Sequence, residues 1–469
     1  MKTEHFKHVV IGAGSGGITV AIGLANLGKR VALIEALHVG GDCTNVGCVP
    51  SKTLIHLAKE YQPGDDANEV LANVTRKRDL LRDKETEEMM HYPNIDFIQG
   101  RAKFTNPKEL EVTTPDGDKR LVTADHIVIA TGARPRLLDI PGLPEKRMLT
   151  NESVFDITNL PKHLAIMGAG IIAVELAFAF RKLGSQVTLI ALDDRVLPTY
   201  PPEVSEAMQP ELEKRGINMY LQATSDRYEE DSRILFAKRQ DELIPIPEVD
   251  RVLIAIGRVR NIDQLDLEKA GVAYDRNGIQ VNGFGRTNVK GIYAIGDVTS
   301  TSAFTHSANA QGRRVVQKIL FPYLPASKNE PIFPTATFSD PEIATVGLSR
   351  KQIEEKCHPN LIMSLRIDLK DLDRGYTDDI QNGFILVDVV RLTGCILGAT
   401  IVAPHASEMI SFFTLAINQR ISMYKIYQQV YPYPTFSNGI QKVADAFMRE
   451  TLPNIRKEII TYLRYRISR

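Results

Sequence analysis

A glycine turn that occurs twice limits the possible folds of this chain more than any other feature. Phe6–Ile11 is a short apolar run. It leads into Gly12-Ala13-Gly14-Ser15-Gly16-Gly17 and then into a helical stretch, Ile18–Ala25. A further apolar run, Arg30–Glu35, ends in an acid. Strand, tight turn, helix, strand and acid in this order form a βαβ unit. Its glycines permit the turn and let a pyrophosphate approach the backbone, and the helix N-terminus favours the phosphate charge. Glu35 offers an acceptor to a ribose. One such turn is weak evidence, but here it recurs. Leu164–Met167, Gly168-Ala169-Gly170 and the helical run Val174–Leu183 repeat the pattern, with Gln186–Ile190 as the next strand. The second unit has Ala191 where the first has its acid. Two units predict two bound dinucleotides and an α/β fold.

At 469 residues the chain is too long for one core. Lys and Arg together number 57, as do Asp and Glu, so no net charge points to nucleic acid or another polyanion. The N-terminus is polar and runs straight into a strand, with no leader pattern and no long apolar run, which predicts a cytoplasmic protein. Two of the four cysteines lie close together in Gly40-Gly41-Asp42-Cys43-Thr44-Asn45-Val46-Gly47-Cys48-Val49-Pro50-Ser51-Lys52. A close pair in a reducing compartment serves catalysis or metal binding more often than structure. A zinc site wants four ligands, and Cys357 and Cys395 are solitary, so no metal centre is expected. Cys48 opens a helical pattern, which favours its thiolate.

Taken together these motifs resemble the pyridine nucleotide–disulfide oxidoreductases, the group of glutathione reductase, dihydrolipoamide dehydrogenase and mercuric reductase. The resemblance spans nearly the whole chain. It rests on Gly12, Gly14, Gly17 and Glu35; Cys43 and Cys48; Ala130-Thr131-Gly132; Gly168 and Gly170 with Glu175; Ala255-Ile256-Gly257-Arg258; Ala294-Ile295-Gly296-Asp297; and the stretch Ser339–Gly347. It implies two Rossmann-like dinucleotide-binding domains plus a C-terminal α+β dimerisation domain. FAD would lie on residues 1–150 and 261–331, NAD(P)H on 151–260, and the dimerisation domain with a basic tail would occupy 332–469. Thr131, Gly132, Gly257 and Asp297 would serve the cofactors. Cys48 would face the flavin, Cys43 would meet a disulfide or small-molecule substrate, and Lys52 would pair with Glu175 beside the flavin. A homodimer is implied, each site completed by the partner's C-terminal domain.

The chain also departs from its relatives. Glutathione and lipoamide reductases carry a His-Pro-Thr-x-x-Glu segment whose histidine exchanges a proton with the interchange thiol. Here the segment reads Tyr433-Pro434-Thr435-Phe436-Ser437-Asn438, with Tyr433 as the base and Asn438 as its orienter. A phenol with an ordinary pKa of about 10 is a poor base at neutral pH. Mercuric reductases carry a tyrosine near this point, yet their C-terminal cysteine pair is missing here. The expectation is a mercuric-reductase-like enzyme acting on a disulfide, metal ion or small electrophile, with dihydrolipoamide dehydrogenase as the alternative and a redox sensor on the same scaffold as a third reading. His405 and His306 are assigned to structure. In the tail, Ile455, Ile459, Ile460, Leu463 and Ile467 share one helical face among basic residues. Docking of that face on the chain's own dimer is expected, with weak attachment to an anionic membrane surface as the other reading.

Overall fold

The computed structural model describes residues 3–299, 304–323 and 332–467, with side chains through Tyr465. Residues 324–331, at the end of the expected second FAD-binding part, and the Ile467 side chain lie outside the described residues.

Three sheets organise the molecule. The first runs in the order 95–99, 31–35, 3–11, 119–129, 109–113, 101–106. Strand Ile292–Ala294 adds to Lys119–Ile129 in parallel, so a segment far down the chain returns to the first sheet. Val9, Val10 and Ile11 pair in parallel with Ala32, Leu33 and Ile34. All six are buried, as expected for a sheet covered on both faces. Helix Ser15–Ala25 covers one face and crosses helix Thr305–Leu320 at two glycines. A Cβ on Gly312 would stand 3.0 Å from the Gly16 carbonyl oxygen, so the helices meet backbone to backbone.

The second sheet is parallel throughout, in the order 217–221, 186–191, 163–167, 251–254, 148–149. Its helix, Ile171–Lys182, is buried continuously from Ala173 to Phe180. The reason is packing on two sides: Leu54 and Ala58 of helix Cys48–Glu60 share its core with Leu164, Ile166 and Leu189 of the sheet. That placement is what encloses Glu175. Strands Ala133–Pro135 and Arg258–Arg260 pair antiparallel and join the two nucleotide-type units.

The third sheet is antiparallel, in the order 335–337, 342–347, 396–403, 384–390, 362–368. Strand Phe384–Val390 shows how its sequence serves two cores. Ile385, Val387 and Val389 face helices Ala406–Asn418 and Asn438–Thr451. Phe384 and Leu386, on the opposite face, belong to the core around helix Ile171–Lys182. A strand with period two buried on both faces therefore welds the C-terminal sheet to the second unit.

Candidate active site

The two glycine turns are built alike. Gly12 has φ of 103°, and a Cβ there would stand 2.4 Å from the Ala130 oxygen. Gly168 has φ of 120°, with the Ala255 oxygen 2.5 Å from the same point. Gly14 and Gly170 are the N-caps of helices Ser15–Ala25 and Ile171–Lys182. Neither helix has a side-chain cap or an acid in its first turn. Their free first-turn amides are cradles for an anion. Beside the first turn, Glu35 accepts from the amides of Ala13 at 2.6 Å and Leu37 at 2.7 Å. Burial pushes its carboxyl up against the opposing pull of those amides. Leu37, His38, Val39, Arg82, Met90 and Gln99 line a cavity of about 550 Å³ next to it. An open helix end, glycines that hold the backbone bare and an adjoining cavity fit one dinucleotide; the second open helix end fits another.

The cysteine loop sits against the first turn. The Gly40 amide donates to the Ala13 oxygen at 2.8 Å. A Cβ on Gly41, where φ is 57°, would fall 2.7 Å from the Gly14 Cα. Asn45 ties the loop from within, its Nδ2 donating to Val39 and Gly41 oxygens at 2.9 and 2.8 Å. Gly47 then caps helix Cys48–Glu60 without a side-chain bond, so Cys48 stands in the positive end of a 13-residue helix. Both thiols are free. The neighbouring Cys43 thiol lowers the Cys48 thiol to about 6 against the opposing cost of burial. The Thr305 hydroxyl, 3.6 Å from the sulfur, and the Lys52 charge lower it further. The same thiol–thiol interaction, reinforced by burial, pushes Cys43 up. The pair is thus polarised, with Cys48 favoured as the thiolate and Cys43 as the protonated neighbour.

Lys52 lies one turn beyond Cys48, its Nζ 2.9 Å from Glu175 Oε2. Glu175 is 3 % exposed, so this ion pair joins the first unit to the second with its carboxylate buried and its ammonium partly open to water. Its other oxygen accepts from the Phe338 amide at 2.8 Å.

Thr131 Oγ1 donates to the Asn261 oxygen at 2.9 Å, fastening the first unit's last strand to the returning chain. Gly132 and Gly257 have φ of 70° and 109° with open space around them. Asp297 pairs at 3.1 Å with Arg258 Nη1, and the same guanidinium pairs with Asp42, the residue before Cys43. Sequence reasoning missed this bridge. Its only signal was the Gly-Arg after the 251–254 strand. The Arg258 Nε is buried without a partner among the described residues, an orphaned donor at the junction of the two units.

One expectation needs correction. Asn438 does not orient Tyr433: its Nδ2 donates to Gln441 at 3.0 Å, and its amide to Thr435 Oγ1 at 3.2 Å. Tyr433 is exposed, and the charge of nearby Asp373 pushes the phenol further up. No local pattern links residues so far apart in sequence. The tail forms helix Ile455–Ile467. Glu458 is buried beside Arg391 at 3.6 Å, and the Tyr465 ring stacks on His358 at 3.7 Å. A paired charge and a ring stack hold that side of the helix, leaving Ile459, Ile460 and Leu463 exposed. His306 bonds the Pro334 oxygen at 2.8 Å and stacks on Phe304, and His405 is the N-cap of helix Ala406–Asn418. No helix among the described residues is long and apolar enough to cross a membrane.

Comparison with known proteins agrees with this geometry. Residues 6–312 match the pyridine nucleotide-disulphide oxidoreductase family, and residues 333–444 match the dimerisation domain of the same family. A mercuric reductase of Lysinibacillus sphaericus is 32% identical over 466 residues, covering 95% of this chain and 83% of its own. A dihydrolipoyl dehydrogenase of Chlamydia pneumoniae is 33% identical over 450 residues, covering 93% of this chain and 95% of its own. The HOCl-induced flavoprotein disulfide reductase RclA from Escherichia coli superposes with a TM-score of 0.84 at 27% identity, covering 94% of this chain and 99% of its own. The chain therefore belongs to the pyridine nucleotide–disulphide oxidoreductase family, whose members are oxidoreductases that use FAD and NAD(P)H, and it carries that family's dimerisation domain.

Proposed function

We propose that this protein is an NAD(P)H-dependent reductase, homodimeric and cytoplasmic, that delivers electrons through Cys48 and Cys43 to a metal ion or small electrophile in preference to lipoamide. Bound NAD(P)H and FAD supply the two-electron chemistry. The chain's own residues do the rest. Gly12, Gly14 and Gly17 bare the backbone for the FAD pyrophosphate, with Glu35 bracing the turn. Thr131, Gly132 and Asp297 serve the same cofactor. Gly168, Gly170 and Gly257 serve the nicotinamide nucleotide. Lys52 and Glu175 hold a fixed charge pair beside the flavin. The domains follow the limits 1–150, 151–260, 261–331 and 332–469.

The observation that carries the choice of acceptor is Tyr433. Reducing a disulfide to two thiols consumes two electrons and two protons, and the second thiolate must be protonated as it leaves. Reducing a divalent metal ion to the metal consumes two electrons and no proton. The charge of Asp373 holds the Tyr433 phenol above the ordinary tyrosine value. It therefore neither takes nor gives a proton readily near pH 7, and such a group is worth about 10²–10⁴-fold in rate. A soft metal ion binds thiolate directly and needs no relay.

Dihydrolipoamide dehydrogenase is the second reading, favoured by the match over 95% of the Chlamydia protein. Steady-state NADH oxidation against Hg(II), small electrophiles, lipoamide and glutathione disulfide separates the two. The proposal expects a metal ion or small electrophile to give the highest kcat/KM. Lipoamide turnover at tens to hundreds per second, well inside the general enzyme scale of roughly 1–10³ s⁻¹, overturns it.

A further inference from the structure

Phe338 lies outside every glycine turn and outside the cysteine loop. It stands in Thr337-Phe338-Ser339-Asp340-Pro341, the connection between strands Thr335–Thr337 and Glu342–Gly347 of the C-terminal sheet. Its two halves meet the Lys52–Glu175 pair from one side. Its backbone amide donates to Glu175 Oε1 at 2.8 Å. Its ring centroid is 4.6 Å from Lys52 Nζ. The ammonium, 2.9 Å from Glu175 Oε2, is therefore held between a carboxylate and an aromatic ring.

The connection that carries Phe338 is itself anchored to the second unit. Thr337 Oγ1 and the Tyr200 hydroxyl share a buried hydrogen bond of 2.8 Å. Asp340 pairs with Arg215 at 2.9 Å. Ser339 Oγ donates to the Pro341 oxygen at 2.7 Å. A lysine has four flexible side-chain bonds, and one carboxylate contact fixes only one direction of its ammonium. The negative face of a ring fixes a second direction. The Lys52 side chain keeps 33% of its surface, so without the ring water would compete for the freed ammonium.

We infer that Phe338 is a positioning residue: through its ring the C-terminal domain fixes the Lys52 ammonium beside Cys48, and through its amide it fixes Glu175. Lys52 belongs to the first nucleotide-type unit, Glu175 to the second and Phe338 to the dimerisation domain, so the three meet at this one ion pair. The inference rests on Cys48 being the low-pH thiolate, as the function reading has it, but it does not depend on which acceptor the enzyme uses. A failure of the metal-ion reading in the substrate panel therefore leaves it standing.

The test follows Cys48 alkylation by iodoacetamide against pH, read on the Cys48 peptide by mass spectrometry. It uses FAD-loaded protein with Cys43→Ser. The ionisable groups facing Cys48 are then Lys52 and Glu175, with the Thr305 hydroxyl. Phe338→Leu keeps the amide bond to Glu175 and an apolar side chain but removes the ring face. It is expected to raise the alkylation midpoint by about half a pH unit, a threefold loss of thiolate below the midpoint. Phe338→Tyr is expected to restore the parent midpoint. Lys52→Met raises the midpoint by itself and should abolish the Phe338→Leu shift, because the ring then has no cation to hold. An equal Phe338→Leu shift with and without Lys52, or no shift in either, overturns the inference. Phe338→Tyr keeps the test decisive should Phe338→Leu fold poorly, since a Tyr variant with a Leu-like midpoint also contradicts it.

Discussion

The two nucleotide-type units share the backbone of their turns and differ, among other places, at the third glycine of the turn and at the end of the second strand. Both turns bring a left-handed glycine against a carbonyl, Gly12 on Ala130 and Gly168 on Ala255. In the first unit Gly17 packs so closely that a Cβ would stand 1.9 Å from the Gly12 oxygen. The second unit has Ala173 at the corresponding place, fully buried, so its helix leaves room for a methyl group. The first unit ends in Glu35, which grips two backbone amides; the second ends in Ala191, which grips none. A tight, braced turn suits a cofactor that stays, and a looser one suits a nucleotide that enters and leaves each turnover.

The largest effect expected from this contrast is at the third turn position. Gly17→Ala forces backbone apart and should abolish FAD retention, read as flavin absorbance per protein after gel filtration. Ala173→Gly should leave FAD in place and cost only the helix penalty of about 1 kcal/mol. Equal FAD loss in both would remove the contrast. Next is Glu35→Ala, which strips two charge-assisted bonds worth about 2 kcal/mol each. FAD should then dissociate on dilution, and NADH affinity should change little.

A smaller effect separates the buried histidines of the two sheets. His163, in the second, bonds the Pro247 oxygen and Thr188 at 2.9 Å each. His8, in the first, stacks on His126 at 5.3 Å, and neither of its nitrogens has a partner among the described residues. Burial, helped by His126 and nearby lysines, lowers His8 from 6.5 to about 4. The unfolded chain therefore takes up a proton that the folded chain refuses between those values. This stabilising contribution is full above pH 6.5 and is lost as pH falls toward 4, by up to about 1.4 kcal/mol per pH unit. His8→Phe should flatten that part of the denaturation profile; an unchanged slope would mean the pair does not titrate on unfolding.

The smallest effect is nucleotide choice. Asp193 and Asp194 follow the 186–191 strand and repel a 2′-phosphate. Arg195, the one nearby cation in that run, donates instead to the Pro198 and Tyr200 oxygens at 3.0 and 3.2 Å. A weak preference for NADH follows. A tenfold higher kcat/KM with NADPH would contradict it.

What could be read from sequence was what local rules encode. The glycine turns, the strands around them and the helix start at Cys48 all follow from residue type and spacing. Glu175, a carboxylate between apolar helical neighbours, signalled a partner, and the family pattern named Lys52. Contacts that depend on tertiary placement left no such mark. Asp373 reaches Tyr433 because helix Asp373–Thr377 lies beside the 433–438 segment, where Arg374 covers the Phe436 ring at 5.6 Å. Arg258 joins Asp42 to Asp297 because two separate strands cross between units. The tail shows the same limit: its apolar stripe was legible, but the buried Glu458 beside Arg391 and the Tyr465–His358 stack within the chain were not.

The account stands on the polarity of the thiol pair, and visible spectra of two oxidised, FAD-loaded variants test that polarity most directly. Cys43→Ser should leave Cys48 as a thiolate against the flavin, with a long-wavelength charge-transfer band at neutral pH, because the helix N-terminus, the Thr305 hydroxyl and the Lys52 charge still favour it. Cys48→Ser should lack the band at neutral pH, because burial pushes the remaining Cys43 thiol up. A band in the Cys48 variant and none in the Cys43 variant would reverse the two roles and contradict the account.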